Sequence, residues 1–409
     1  MALASVSGLV VAPMRRFLQP YLQFLRLPDV AVLFAVGALA RLPVSMTALA
    51  LTLYLRTMLG DFAQAGTVVG AYFIAMAIMA PVLGRLIDRR GPRLPLLVTG
   101  WLQPLTLLGV YLAAREQWGF AVVLMAAIVA GLLPPPITVI SRTLWRHRFS
   151  EEGERRMAFA LDSVMTELNF TLGPAMIGLL VSFTSAGTAM LTAIVANFLG
   201  FQLFLHAPAL RYWQQQAEGE RHWLGPLRDV RLLTYFLLGF GLTFCLGLFE
   251  VGYPAYALAI AAPVWAGLLI ALNGLGSAIG GALYATWPGR IERQYALALG
   301  FLALPFIMHA LVPTLPVFVV VAFIGGLAVA PALTSLTLLT TRRAPALYAT
   351  EAMTWSATFI ISGLGAGMGG AGLIIEHWSL TTMFWSGAAV AATMALCAWL
   401  LQREDKHAS

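Results

Sequence analysis

The chain has 409 residues, 60% of them hydrophobic and only 11% charged, with a mean hydropathy of +0.82. Soluble domains carry about a quarter charged residues, so this balance excludes a soluble enzyme and leaves a polytopic membrane protein. The net charge of +7 would suit a nucleic-acid binder, but Lys406 is the only lysine and the arginines gather in short segments between apolar runs, so no nucleic-acid partner is expected.

In chain order, residues 1–12 are apolar with no basic region ahead of them, so no cleavable signal peptide is expected. Residues 13–28 (PMRRFLQPYLQFLRLP) mix arginines with aromatics and leucines, and complete an amphipathic N-terminal segment, 1–28, lying on one membrane face. A crossing takes about 20 apolar residues. That length predicts spans near 30–55, 66–87, 94–114, 119–141, 157–182 and 187–207, then 231–258, 263–287, 294–313, 315–340, 348–374 and 380–401. A polar linker, 208–229, divides an N-terminal bundle (29–207) from a C-terminal bundle (230–401) and a tail (402–409). With the N-terminus inside, almost every basic residue falls on the cytoplasmic side and only Arg56 and Arg115 outside. Both termini are therefore expected in the cytoplasm, and the membrane is expected to be a bacterial-type inner membrane. Pro134, Pro135 and Pro136 must break the fourth span, with Arg142 at its cytoplasmic end.

Between the second and third spans stands Gly84-Arg85-Leu86-Ile87-Asp88-Arg89-Arg90-Gly91-Pro92-Arg93. Its glycines suit a tight turn and close helix approach, and its arginines suit headgroup depth. Asp88 among arginines asks to be bridged, by them or by the positive end of a neighbouring helix. The decapeptide resembles the signature loop of the major facilitator superfamily, G-x-L-(A)-D-R-x-G-R-R/K, with Gly84, Leu86, Asp88, Arg89, Gly91 and Arg93 on matching positions and Pro92 departing. Gly281 to Arg290 repeats it as G-x-L-x6-R, with Ala285 in place of the aspartate. A fainter echo sets Asp162 against Glu351.

The resemblance implies an all-α membrane protein of 12 transmembrane helices in two pseudo-symmetric six-helix bundles, with substrate bound near mid-membrane between them. It also implies a cytoplasmic gate formed by Gly84, Arg85, Asp88, Arg89, Gly91 and Arg93, packing on the eleventh span when that side closes. Arg85 or Arg89 would then reach Glu351. Asn169 to Gly178 (NFTLGPAMIG) is partly similar to the Gly-Pro segment of superfamily antiporters.

Ionisable residues inside spans are costly and mark function. Arg41 and Glu167 lie at similar expected depths in the first and fifth spans, which the resemblance makes neighbours, so a buried Arg41–Glu167 pair is expected. Glu167 heads the proton-coupling candidates, followed by Asp162, Glu250 and Glu351. Asp162, read as shallower, is expected to pair with nearby arginines. Substrate-cavity candidates are Arg41, Tyr72, Phe170, Tyr253 and Trp355. His309 reads as an interfacial filler, and Cys245 and Cys397 as core residues. No Cys/His/Asp cluster suggests a metal or a catalytic set, so no cofactor and no enzymatic activity are expected.

The expected function is secondary active transport by alternating access, with a proton-coupled exporter of small amphipathic molecules or drugs in first place. The expected partners are a small-molecule substrate, protons and the lipid bilayer, around a monomer. A facilitator or importer of a metabolite such as a sugar or organic anion, with Arg41 as substrate ligand, is the alternative, alongside a lipid-translocating member.

Overall fold

The computed structural model describes residues 23–149, 151–207, 210, 225–284, 288–344 and 349–407, without certain side chains, Asp88 and Arg142 among them. Most of the amphipathic segment, most of the linker and Ala285 of the degenerate loop copy therefore lie outside the described residues.

Fifteen α-helices account for nearly all of the rest. They are α1 Val30–Leu59, α2 Phe62–Arg90, α3 Arg93–Arg115, α4 Phe120–Gly131, α5 Ile137–Arg148, α6 Glu152–Phe183, α7 Ala186–His206, α8 Val230–Ala259, α9 Val264–Tyr284, α10 Ile291–Phe301, α11 Ala303–Leu311, α12 Leu315–Gly326, α13 Val329–Arg343, α14 Ala349–His377 and α15 Leu380–His407. Among the described residues, eleven stretches are long and apolar enough to cross a membrane, α10–α11 and α12–α13 each forming one. Leu105, Met125, Val195 and Leu199 are more than half exposed on helix flanks. Apolar cover of that kind, spread over an all-helical chain, suits hydrocarbon rather than water.

The fourth expected span differs. The triple proline divides it into α4 and α5, and α5 continues to Arg148, so Arg142 sits mid-helix instead of at a terminus. Proline removes backbone donors and clashes with the preceding turn, so the helix has to restart. The signature turn is also tighter than its ten residues suggest. Helix α2 runs through Arg90, Gly91 caps it at φ 77° with its N–H on the Ile87 carbonyl, and α3 begins at Arg93. That left-handed φ is the conformation glycine adopts without steric cost.

The bundles meet chiefly along two seams, α2 on α14 and α6 on α9. Both close backbone to backbone at the end of the molecule opposite the signature turn. A methyl group on Gly66 would fall 2.7 Å from the Met368 carbonyl oxygen, one on Gly70 2.6 Å from that of Gly365, and one on Gly372 2.1 Å from that of Phe62. On the other seam, a methyl on Gly178 would lie 2.8 Å from Gly267 Cα, and one on Gly267 2.0 Å from the Pro174 carbonyl oxygen. Small residues at interfaces are what permit helices to associate this closely in lipid. The Glu376 carboxylate adds a polar tie across the first seam, accepting the Phe62 backbone N–H at 3.1 Å.

The other end is open. Gly84 follows Gly66 by 18 residues, five turns at 3.6 residues per turn, and so lies on the same face of α2. Yet a methyl there would meet nothing within 4 Å. Gly84 therefore permits a close approach that this conformation does not make. At Gly84, then, α2 borders open space among the described residues, a cleft on the signature-turn side.

Substituting Gly267→Val forces the α6 and α9 backbones apart, at the roughly 1–3 kcal/mol typical of overpacking. Amide hydrogen exchange should rise in residues 174–183 and 264–270 while α3 and α15 stay unchanged.

Candidate functional site

Helix α6 presents polar and small residues on two faces. Asp162, Asn169 and Gly173 (i, i+7, i+11) point at α1; Glu167, Thr171, Pro174 and Gly178 (i, i+4, i+7, i+11) point at α9.

On the α1 face, Arg41 Nη2 donates to Asp162 Oδ1 at 2.6 Å, with the two side chains 6% and 1% exposed. Arg41 Nε donates to the Gly37 carbonyl at 2.9 Å, and Trp145 Nε1 donates to the same Asp162 oxygen at 3.1 Å. Trp145 of α5 is held there by stacking on Phe34 of α1, ring centroids 4.4 Å apart. The break at the triple proline is what lets α5 angle this indole inward. Further along, Asn169 Nδ2 donates to the Ala38 carbonyl at 3.0 Å and Ser45 Oγ to the Asn169 carbonyl at 2.7 Å.

The expected Arg41–Glu167 pair is therefore corrected: the partner is Asp162. The reason is depth. Helix α6 starts at Glu152, five residues before the apolar run. Asp162 is thus about 15 Å along its helix and Arg41 about 16 Å along α1, whereas Glu167 is about 22 Å along and turned some 140° away. Nor is Asp162 shallow, as expected. It is among the most buried polar groups of the chain.

On the α9 face, Glu167 interacts with the buried Ser277 hydroxyl. The seam runs from Gly178 on Gly267, through Thr171 on Gly274, to Glu167 beside Ser277. Glu167 sits at its inner end, half-buried.

The cavity candidates do not converge. Tyr72 is 5% exposed and its hydroxyl accepts from Gln103 Nε2 at 3.2 Å, inside the N-terminal bundle. Tyr253 is fully buried within the C-terminal bundle, and Arg41 is engaged by Asp162. Phe170, 49% exposed on α6, and Trp355, half-buried on α14 next to Phe359, keep open surface. Glu351 is 7% exposed near the start of α14, and Glu250 is half-buried on α8. His309 is no interfacial filler: it is 1% exposed, packed among phenylalanines. Among gate residues, Arg85 is half-buried and Arg89 and Arg93 are exposed at the mouth of the cleft. A groove between α10 and α15, lined by Arg293, Leu297, Trp399 and Gln402, lies on the outer flank away from these groups.

Trp145 escaped the sequence reading because nothing in spacing ties residue 145 to residue 162. Only the proline break, with a restarted helix after it, hinted that this indole would turn inward.

Replacing Asp162→Asn strands the Arg41 guanidinium in the bundle and should cost about 3–5 kcal/mol, whereas Arg41→Met with Asp162→Leu should recover most of it. Thermal unfolding in detergent reads both. Glu167→Gln, outside this network, should leave the transition close to wild type.

The fold agrees with what the chain resembles. Residues 33–315 match the family model described as Major Facilitator Superfamily. No curated protein sequence matches significantly. Among solved structures, a mutant of the nucleoside transporter NupG superposes with a TM-score of 0.75 at 15% identity, covering 90% of this chain and 98% of that one. The human organic anion transporter MFSD10 (TETRAN) gives 0.63 at 18%, covering 90% and 98%. A bacterial homologue of the iron transporter ferroportin, in its inward-facing state, gives 0.68 at 14%, again 90% and 98%. Identities this low speak to fold alone. The family model spans well over half of the chain, and the chain belongs to the major facilitator superfamily of membrane transporters.

Proposed function

We propose that the protein is a proton-coupled secondary transporter that exports small amphipathic molecules by alternating access, with Glu167 as the coupling acid. The observation that carries this is the place of Glu167 at the inner end of the α6–α9 seam, next to Ser277 and apart from the Arg41–Asp162 pair. A carboxylate there changes surroundings whenever the seam opens or closes. Differential interaction with two states is what a ligand, the proton included, needs in order to shift them. Asp162, held by Arg41 and Trp145 within one rigid bundle, feels no such change and acts as a structural anchor.

The helix register supports a cytoplasmic gate at the signature turn. On the α2–α14 seam Gly66 faces Met368 and Gly372, and Gly70 faces Gly365 and Gly369. Continued antiparallel, that pairing sets residues 84–86 against about 351–353. Zipping the cleft shut would bring Arg85 to Glu351 and settle Gly84 on α14. Glu351 and Gly369 differ by 18 residues, again five turns, and share a face of α14. We read the chain as a monomer of twelve spans, α4 and α5 together making the twelfth. With the arginine-rich helix ends taken as cytoplasmic, our reading has both termini inside, and we propose a bacterial-type inner membrane.

The test is proton movement in proteoliposomes on adding tetraphenylphosphonium, ethidium, sugars or amphiphiles. Substrate-driven proton flux should fall at least tenfold in Glu167→Gln and persist in Asp162→Asn where that variant folds. Transport without proton flux, equal in wild type and Glu167→Gln, would reject the assignment and favour a facilitator.

A further inference from the structure

Two adjoining hollows on the outer flank of the C-terminal bundle belong to neither seam nor cleft. They lie between the start of α10 and the end of α15, share Arg293, Leu297 and Gln402, and hold about 500 and 420 Å³. Small-ligand sites run roughly 300–1,000 Å³.

The two helices run antiparallel here. A methyl on Gly300 would lie 3.6 Å from the Ala395 Cβ. Arg293 is seven residues back along α10 and Gln402 seven forward along α15, so both stand about 10 Å nearer the helix ends, at one level. Between those levels Ala296 and Ala395 keep the groove open, and Leu297 and Trp399 wall it. Helix α9 leaves the closed seam at Gly267 and ends at Tyr284, so Arg290 and Arg293 stand at the signature-turn end of the molecule.

The polar end of the groove is a set of donors. Arg293 is exposed and makes no ion pair among the described residues. Arg290 is held by Glu292 at 3.5 Å. Gln402 lines both hollows and is 8% exposed, yet its amide has no hydrogen bond among the described residues. A buried amide normally has a partner. The first turn of α10 adds backbone N–H groups without intrahelical acceptors, at the positive end of its dipole. Among the described side chains, no carboxylate lines either hollow. Such a set suits negatively charged oxygens, and the guanidinium fork fits a phosphate.

The apolar surroundings say what the phosphate is attached to. Leu297, Leu396 and Leu400 are 50%, 55% and 49% exposed beside the groove, and Trp399 is 41% exposed. On spanning helices such leucines meet acyl chains, and tryptophan favours the level of the headgroups. With no carboxylate to receive an ammonium group, the groove favours a headgroup whose only charge is its phosphate.

We propose that the α10–α15 groove binds one anionic phospholipid from the leaflet on the signature-turn side. Its phosphodiester sits on Arg293 and Gln402, and an acyl chain lies over Ala296 and Ala395 between Leu297 and Trp399. The site is separate from Glu167 and does not depend on the transport reading.

Native mass spectrometry of the full chain in detergent, titrated with phosphatidylglycerol or with phosphatidylcholine of the same acyl chains, tests the site. The wild type should hold one phosphatidylglycerol about tenfold more tightly than phosphatidylcholine, and Arg293→Gln should remove about that factor. Gln402→Ala should weaken the same adduct. Arg115→Gln, which deletes an equal charge from an exposed arginine elsewhere, should leave it unchanged. Arg293 is exposed, so its replacement leaves the core packing intact. Equal affinity for the two lipids overturns the site, as does phosphatidylglycerol binding unmoved in Arg293→Gln. A large excess of inorganic phosphate should leave the adduct in place, and displacement would make this a site for free phosphate and overturn the lipid assignment. A dimer that Arg293→Gln splits, without a lipid adduct, would give the face to a second copy and overturn it too.

Discussion

Arg41 can sit mid-helix in a hydrocarbon slab only because a carboxylate, a backbone carbonyl and an indole have been arranged around it and its partner. An isolated charge at that depth costs several kcal/mol even after relaxation. Every element near the pair answers to this demand. Helix α5 restarts after three prolines and turns Trp145 inward, Phe34 stacks on the indole, and Ser45 and Asn169 stitch the same two helices one turn further along. The ion pair fixes how α1 and α6 sit, and through α6 it fixes the bearing of the opposite face.

That opposite face is where structure becomes mechanism. In the proposed cycle, a helix clamped on one side to its own bundle, and on the other to the neighbouring bundle, would transmit rigid-body motion without bending. Glu167 travels with the clamp while Ser277 belongs to the other half. Helix α14 is used the same way, with alternate glycines against α2 and α8: Gly365, Gly369 and Gly372 on one side, Gly363 and Gly367 on the other.

The architecture was largely legible from the amino acids, because long apolar runs separated by arginines have few other readings in a bilayer, and the signature decapeptide is specific. What failed did so for a physical reason. Glu152 to Met157 looks polar and reads as a loop, but Glu, Arg and Met are good helix formers, so α6 begins before its apolar stretch. Counting depth from the wrong residue shifted the pairing from Asp162 to Glu167. His309 was misplaced because a lone histidine near a span's end resembles an interfacial residue, and only three-dimensional packing shows Phe318 and Phe384 closing over it. Tyr72 and Tyr253 are buried within their bundles for a similar reason invisible in the sequence, which tells which residues lie on a helix but not which neighbour its faces meet.

The glycine seams have a consequence for how the molecule changes shape. Their contacts are between carbonyl oxygens and Cα atoms, with no long side chains to stretch or re-rotamerise as the surfaces separate. Dispersion at such contacts falls off so steeply that a gap of about 0.5–1 Å forfeits a quarter to a half of it. A seam built this way has no comfortable half-open position. The bundles are either in register or apart, and the transition resembles the release of a zip fastener more than the slackening of a spring.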